Sequence, residues 1–473
     1  MKDSSIHTGI KPYIHFFSAK YTHVADSHRI FKFIYDDAAL DAAFYKHLIR
    51  IEPRQEKLRL YLDPLLNFEV AKDLNSKISR NFYVNTRGFI GSGYIGNKVY
   101  FESLFSENQA VLPDYLARQA NSTTVIPGQG RWKKFKSSGY DYAFSSGFVS
   151  IQILKQANLQ LGHGKQKIGN GYRSLLLSDN AFNYPYLRLT QQWLKSKVQY
   201  SIIYSVLTNM DPATKVLTAG TERLFQKKAA SFQYLSCNLS KSVNLGFFQG
   251  LIWQAGDYRN QQHLDWQYFN PIIYANLFSY KLNSKNNLLI GSDLKIKLTN
   301  KLNIYGQLMV DDLNNKDTLG NDYGFQSGFN WFDAIGIKNF FVQAEYNYVS
   351  EGSYRNVPGS LTNQSYSHTN QNLAYTPGYG QELIFIADYK YKRIMFNLKY
   401  NYQDIPLKNK NYYYTNTFNA RIGYLINPAY NLNISLGITY RNQYFHNFKT
   451  LNNEMSYIYL GLRTSLYNLN YDF

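Results

Sequence analysis

Residues Leu432–Tyr440 read Leu-Asn-Ile-Ser-Leu-Gly-Ile-Thr-Tyr, and their parity constrains this chain more than any other feature. Leu432, Ile434, Leu436, Ile438 and Tyr440 fall on one parity, and Asn433, Ser435, Gly437 and Thr439 on the other. An extended strand would turn the large apolar side chains to one face and the small or polar ones to the opposite face. A soluble sandwich can use such a strand once or twice. Here the pattern recurs at strand length and close spacing almost to the last residue. It predicts an all-β fold: a transmembrane antiparallel β-barrel.

Composition agrees. Aromatics make up 17% of the 473 residues, with 44 Tyr and 31 Phe against only 12 Pro. That bias suits strands with an apolar exterior, a wet interior and aromatic girdles at the lipid interface. Mean hydropathy is −0.41, and no apolar run reaches the ~18 residues of a spanning helix, which excludes a helical membrane protein. Low mean hydropathy is compatible with a barrel, because only alternate residues face lipid. The net charge is +19. A nucleic-acid binder would cluster its Lys and Arg, whereas here they are scattered, as Lys295 and Lys297 are among Leu294, Ile296 and Leu298. Nucleic acid is therefore not an expected partner. The expected partners are outer-membrane lipid and an anionic surface polysaccharide or lipopolysaccharide facing a basic lumen or rim. Any single Lys reads first as solvated loop charge. The sole cysteine, Cys237, excludes an intramolecular disulfide framework and a multi-Cys metal site. No cofactor is expected.

Two regions follow. Residues 1–57 read as an N-terminal periplasmic or plug-like segment. Asp36-Asp37-Ala38-Ala39-Leu40 opens an Ala-rich stretch that favours a helix to Ile49, closed by Pro53. Residues 1–7 carry no apolar core, and outer-membrane export needs a leader. The expectation is that a leader precedes Met1 or has been removed. Residues 58–473 read as the barrel. Strand candidates lie at about 58–69, 81–91, 94–107, 139–154, 157–164, 186–195, 197–208, 229–240, 242–256, 268–280, 286–299, 301–312, 323–333, 338–350, 380–390, 392–403, 415–427, 430–445 and 454–467. That is nineteen, and single-chain bacterial barrels favour even counts, so the expectation is about eighteen strands. In Val342–Tyr348 and Phe396–Tyr402 the polar parity carries Gln343, Glu345, Asn347, Asn397, Lys399 and Asn401, as a watery lumen would require.

Short links such as Leu194–Val198, Thr299–Leu302 and Ile426–Tyr430 alternate with long polar ones near 108–138, 209–228, 257–267, 313–322, 351–379 and 404–414. The short ones read as periplasmic turns and the long ones as extracellular loops. The chain ends in Phe473, and a terminal aromatic on the closing strand is similar to the signal that outer-membrane barrels present to their insertion machinery.

The stretch Gly169-Asn170-Gly171-Tyr172-Arg173-Ser174-Leu175-Leu176-Leu177-Ser178-Asp179-Asn180-Ala181-Phe182-Asn183-Tyr184-Pro185-Tyr186 differs from the strands around it. It resembles the signature of the Wzi-type capsule-assembly barrels, whose relatives in gliding bacteria are the gliding-motility protein RemB-like members. Asp63-Pro64, Asn67-Phe68, Asn85-Thr86-Arg87-Gly88, Phe105–Ala110, Val125–Gly130 and Asp141-Tyr142-Ala143 resemble earlier landmarks of that family. Gln364–Ala374 is similar to its last long loop, although Tyr375-Thr376-Pro377-Gly378-Tyr379-Gly380 departs from the family's Pro-Leu-Gly-like continuation. The likeness covers about residues 55–400. It implies an eighteen-stranded outer-membrane barrel with inward-folded loops, without enzymatic activity, that binds or organises capsular polysaccharide and supports gliding together with motility or secretion proteins. The competing reading is a diffusion porin or transporter.

Gly169-x-Gly171 lacks the Gly-Lys-Ser/Thr ending of a P-loop and the βαβ setting of a dinucleotide fold. It reads better as an inward-folded segment in which Tyr172, Arg173, Asp179 and Asn180 bond to the wall. An Arg173–carboxylate pair would serve structure as well as glycan binding, and structure is the favoured reading. Tyr366, His368 and Asn370, with Tyr375, Tyr379 and Tyr412-Tyr413-Tyr414, are the other candidate glycan or plug contacts, although strand-end girdles give the same aromatic composition. His7, His15, His23 and His28 are too irregular for a helix-borne zinc pair, and Asp311-Asp312 lacks a calcium-loop pattern. No Gly-x-Ser-x-Gly or His-Glu-x-x-His occurs.

Overall fold

The computed structural model describes residues 7–18, 44–53, 57–76, 80–212, 225–255, 269–275, 286–311, 322–355, 364–407, 412–446, 452–466 and 471–472. Eighteen antiparallel strands close into a barrel. They are β1 (Leu58–Asp73), β2 (Asn81–Ile95), β3 (Val99–Val111), β4 (Gly139–Leu154), β5 (Ala157–Gly164) and β6 (Tyr184–Trp193). Next come β7 (Val198–Pro212), β8 (Phe225–Asn238), β9 (Val243–Gln254), β10 (Asn287–Lys297), β11 (Leu302–Asp311) and β12 (Asp322–Phe332). The last six are β13 (Phe340–Val349), β14 (Gly380–Tyr391), β15 (Ile394–Pro406), β16 (Tyr412–Asn427), β17 (Leu432–Phe445) and β18 (Asn453–Arg463).

Period-two alternation is what closes this sheet around two different environments. On β17, Ile434 and Leu436 are 43% and 49% exposed, whereas Asn433 and Ser435 are 5% and 7% exposed. Register carries that parity sideways: Leu436 lies opposite Ile422 on one side and Leu460 on the other. The outward rows form an apolar belt, which places the barrel in the outer membrane. At one end of the belt Tyr402, Tyr414 and Tyr444 pack ring to ring, and at the other Tyr389 stacks on Phe396. Links 96–98, 155–156, 194–197, 239–242, 298–301, 333–339, 392–393 and 428–431 all lie at the second end, and every connection of ten or more residues joins strands at the first. The first end is therefore extracellular.

The seam joins β18 to only part of β1, from Asn67 to Asp73. Below it the free edge of β1 is paired by a short strand, Ile49–Ile51, with Ile49 opposite Leu62. The helix expected to end at Ile49 thus gives way to strand there. Its start, 36–43, lies outside the described residues, as do the expected loops 257–267 and most of 313–322.

Three expectations change. The tenth strand candidate, 268–280, is the surplus one: its described part is not a barrel strand. Residues 269–275 run over the outer face of the wall, where Tyr200 donates to the Pro271 carbonyl (2.6 Å), Tyr204 to Phe269 (2.9 Å) and Gln233 to Asn270 (2.7 Å). Parity explains this placement. Ser231, Gln233 and Gln249 occupy outward positions on β8 and β9, and polar side chains there are costly against lipid. All three are fully buried. The closing strand ends at Arg463, not near 467, and Asp472 is tucked into the interior; the terminal aromatic, Phe473, lies outside the described residues. The lumen, finally, is not simply watery. Residues 165–183 fold into it, with 364–379, 7–14 and 471–472 packed around them. A buried cluster of Leu175, Leu176, Leu177, Tyr354, Tyr366 and Tyr375 forms an apolar core inside the polar wall.

Candidate functional site: the lumenal plug and the outer rim

The plug is fixed by its backbone. Consecutive N–H groups of Tyr172 and Arg173 donate to the two oxygens of Glu345 on β13, at 2.6 and 2.9 Å. Tyr305 and Asn347 donate to the same carboxylate, each at 2.9 Å. Glycine makes this approach possible: a Cβ at Gly171 would collide with Glu345 and Gln326, and one at Gly169 with Gln307. Gly169 also has φ +132°, which a larger side chain would strain. The Gly-x-Gly spacing therefore brings backbone against barrel wall.

Arg173 is the hub. Its Nε and Nη2 form a fork on Glu382 of β14, at 3.1 and 2.8 Å, and Nη1 lies 3.3 Å from Asp472. Asp472 also accepts from the Tyr172 hydroxyl (2.8 Å) and pairs with Lys399 of β15 at 3.0 Å. Burial alone would raise the Asp472 carboxyl, but the Arg173 and Lys399 charges outweigh it and hold the group well below the usual carboxylate range. Burial pushes the Tyr172 hydroxyl up to about 12, with the Asp472 charge adding to it.

The other predicted residues lie around this hub. Asp179 sits beside Lys165 and Lys167; burial opposes its ionisation, and those two charges lower its carboxyl below the usual value. Asn180 donates to the Ala374 carbonyl at 2.9 Å. Tyr366 donates to Leu176 at 2.8 Å with its ring edge-on to Phe232. His368 accepts from the Thr208 N–H at Nδ1 (2.9 Å) and contacts the Asn183 carbonyl through Nε2 at 3.1 Å, which fixes a neutral tautomer. Burial takes its pKa down to about 3. Asn370 stands at the exposed rim and donates to Thr123. The structure brings Tyr172 and Arg173 onto the wall, puts Asp179 and Asn180 against Lys165 and Ala374, and buries Tyr366 and Tyr375 completely. The plug's partners Glu382 and Asp472 were not singled out from the sequence. Inward parity marks Glu382, but nothing in the pattern marks Asp472.

A second feature lies at the extracellular end, in the connection between β3 and β4. A helix, Asp114–Thr123, is followed by a short strand, Lys133–Phe135, that pairs with β4. Trp132 locks the two together: its indole donates to Ala120 (3.0 Å) and its ring sits edge-on to Tyr140. On this platform Arg118, Arg131, Lys133, Lys134 and Lys136 are all exposed. Such a basic face attracts anions at long range and is screened by salt.

Neither a protein-family model nor a curated protein matches the sequence. Among solved structures the chain is similar to Wzi of Escherichia coli, an outer membrane protein involved in group 1 capsule assembly and described as a carbohydrate binding β-barrel. The TM-score is 0.51 at 13% identity, over 87% of this chain and 85% of that one. Acinetobacter baumannii OccAB2 aligns at TM-score 0.49 and 9% identity, over 86% and 97% of the two chains. Pseudomonas aeruginosa OpdK, solved with vanillate, aligns at 0.49 and 10%, over 86% and 98%. The fold is that of a Wzi-like outer-membrane barrel.

Proposed function

We propose that this protein is a non-enzymatic barrel that binds or organises an anionic surface polysaccharide at its extracellular rim. The observation that carries the reading is the exposed set Arg118, Arg131, Lys133, Lys134 and Lys136 on the platform held by Trp132. The net charge of +19 supports it, and so does the carbohydrate binding ascribed to the similar barrel Wzi. Lipopolysaccharide offers the same anionic chemistry. The plug filling the lumen counts against a diffusion porin and in favour of a surface role. Residues 1–57 are read as an N-terminal periplasmic or plug-like segment, and 58–473 as the barrel. Assistance to gliding, as in RemB-like proteins, and contact with motility or secretion proteins are the finer part of the proposal.

A deletion strain complemented with wild type or with the five cations changed to Gln tests it. The expected result is loss of capsule retention or of colony spreading in the deletion, and in the five-Gln strain as well. Unchanged retention and unchanged spreading in the deletion would reject the role. Full rescue by the five-Gln protein would reject the rim as its site.

A further inference from the structure

Against the inner wall formed by β1–β4 and β18, with Gln129, Leu466 and Tyr471 closing around it, the lumen keeps a cavity of ≈ 190 Å³. An apolar cavity of about 150 Å³ accepts benzene, so this one has room for a six-membered ring with small substituents. Its wall lining has two parts. Leu65, Leu104 and Phe144 supply an apolar face. Beside them on the same inward face, one rung along the strands, runs a polar row in register from Asn67 to Thr86 to Asn108. Thr86 donates to Asn108 (2.8 Å) and Asn108 to the Tyr142 carbonyl (3.1 Å), so two members of the row are held in place. Thr86 and Asn108 are 3% and 4% exposed, a built polar surface rather than a chance groove.

Charge narrows the ligand class. Glu69 on β1 and Arg463 on β18 both line the cavity, one strand apart, with Arg463 opposite Asn67 and Glu69 opposite Gly461. An anionic ligand meets the Glu69 carboxylate and a cationic one meets the Arg463 guanidinium, each at short range in a poorly solvated space. A neutral ligand meets neither repulsion, because the two charges lie side by side with the Asn67 amide next to them. Glu69 accepts from Tyr457 (3.1 Å) and Arg463 donates to the Leu466 carbonyl (3.3 Å). An apolar ring face can lie on the rung of Leu65 and Phe144 while hydroxyls at its edge reach the neighbouring polar rung.

We propose that the cavity is a binding site for one neutral pyranose ring. The site is separate from the rim and stands whether or not the rim binds a polyanion. The ring can come from a free monosaccharide or from the end unit of a longer glycan, and both present the same chemistry.

The test is calorimetric titration of the purified full chain in detergent. The probes are methyl glucoside, methyl galactoside, glucuronic acid, glucosamine and maltotriose. The expected result is saturable one-to-one binding of at least one neutral probe, with the charged sugars at least about tenfold weaker. Binding of a methyl glycoside identifies a free sugar as sufficient; binding of maltotriose alone identifies a glycan end. Thr86→Trp, which fills the cavity, should abolish binding. Asn67→Ala, which removes an amide without adding bulk, should weaken it about tenfold while heat-modifiable gel mobility stays that of the folded barrel. The proposal is overturned if no neutral probe binds, so that water is the only occupant. It is equally overturned if charged sugars bind as well as neutral ones, if Asn67→Ala leaves the affinity unchanged, or if binding follows the rim cations instead.

Discussion

Arg173 lies fork-to-fork on Glu382, with Nε at 3.1 Å and Nη2 at 2.8 Å from its two oxygens, and both side chains are wholly shielded from solvent. A pair of this kind fixes geometry more than it adds net stability, because both ions give up water to form it. Here it joins a segment inside the barrel to the barrel itself, so its loss should be read in the plug.

Arg173→Met should leave Glu382 buried without its cation and Asp472 with Lys399 alone, a change worth roughly 3–5 kcal/mol. The wall keeps its own ladder, so β content by circular dichroism should hold while the plug becomes accessible to protease. Arg173→Met combined with Glu382→Gln should recover part of the protection.

Gly171→Val should unseat the same segment for a steric reason, because its side chain would occupy the space of Glu345 and Gln326. Proteolysis within 165–183, absent in wild type, is the readout. Asn170→Ala, which removes the bond to Asp293 (2.9 Å) and the one accepted from Thr8 (2.6 Å) without adding bulk, should cost about 1 kcal/mol per bond.

Acid should loosen the loop that carries His368. Burial lowers its folded pKa to about 3, below the ~6.5 of an unfolded histidine. Between those values the unfolded state binds more protons, so stability falls as pH drops from about 6.5 towards 3. Protonation also removes the Nδ1 acceptor used by Thr208. Hydrogen exchange at Thr208 should quicken across that window. Asp472 behaves differently: its depressed carboxyl keeps its contribution above the ordinary aspartate range, near 3.9, and loses it only in stronger acid. The His368 loop should therefore open before the tail.

Leu436→Arg places a charge on the exposed apolar belt and should cost about 2–4 kcal/mol at mid-membrane, less towards either interface. Thr439→Lys, on the opposite parity of the same strand, should cost less. Urea unfolding of the protein in lipid vesicles compares the two.

Alternation made most of the wall legible, and the boundaries at Gly139–Leu154 and Ala157–Gly164 fall where the pattern places them. It failed at 268–280 because that segment is as aromatic as a strand. The better signal was on its neighbours, where Gln233 and Gln249 break the lipid-facing parity. Parity also shows which side chains point inward but not what they meet. Glu345 and Lys399 look alike in that respect, yet one anchors the plug by its backbone and the other holds the tail. The cavity residues Glu69 and Arg463 were equally hidden, since lining a cavity depends on how Gln129, Leu466 and Tyr471 pack against the wall. The Gly-x-Gly and triple-leucine run were visible as an oddity, and the wall contacts of Gly171 give that oddity its physical reason.

The central claim is that the barrel is closed by its own polypeptide, and conductance in planar bilayers tests it most directly. Wild type should be nearly silent, and Arg173→Met should open steps of pore size. A large, stable conductance from the wild-type protein would contradict the account.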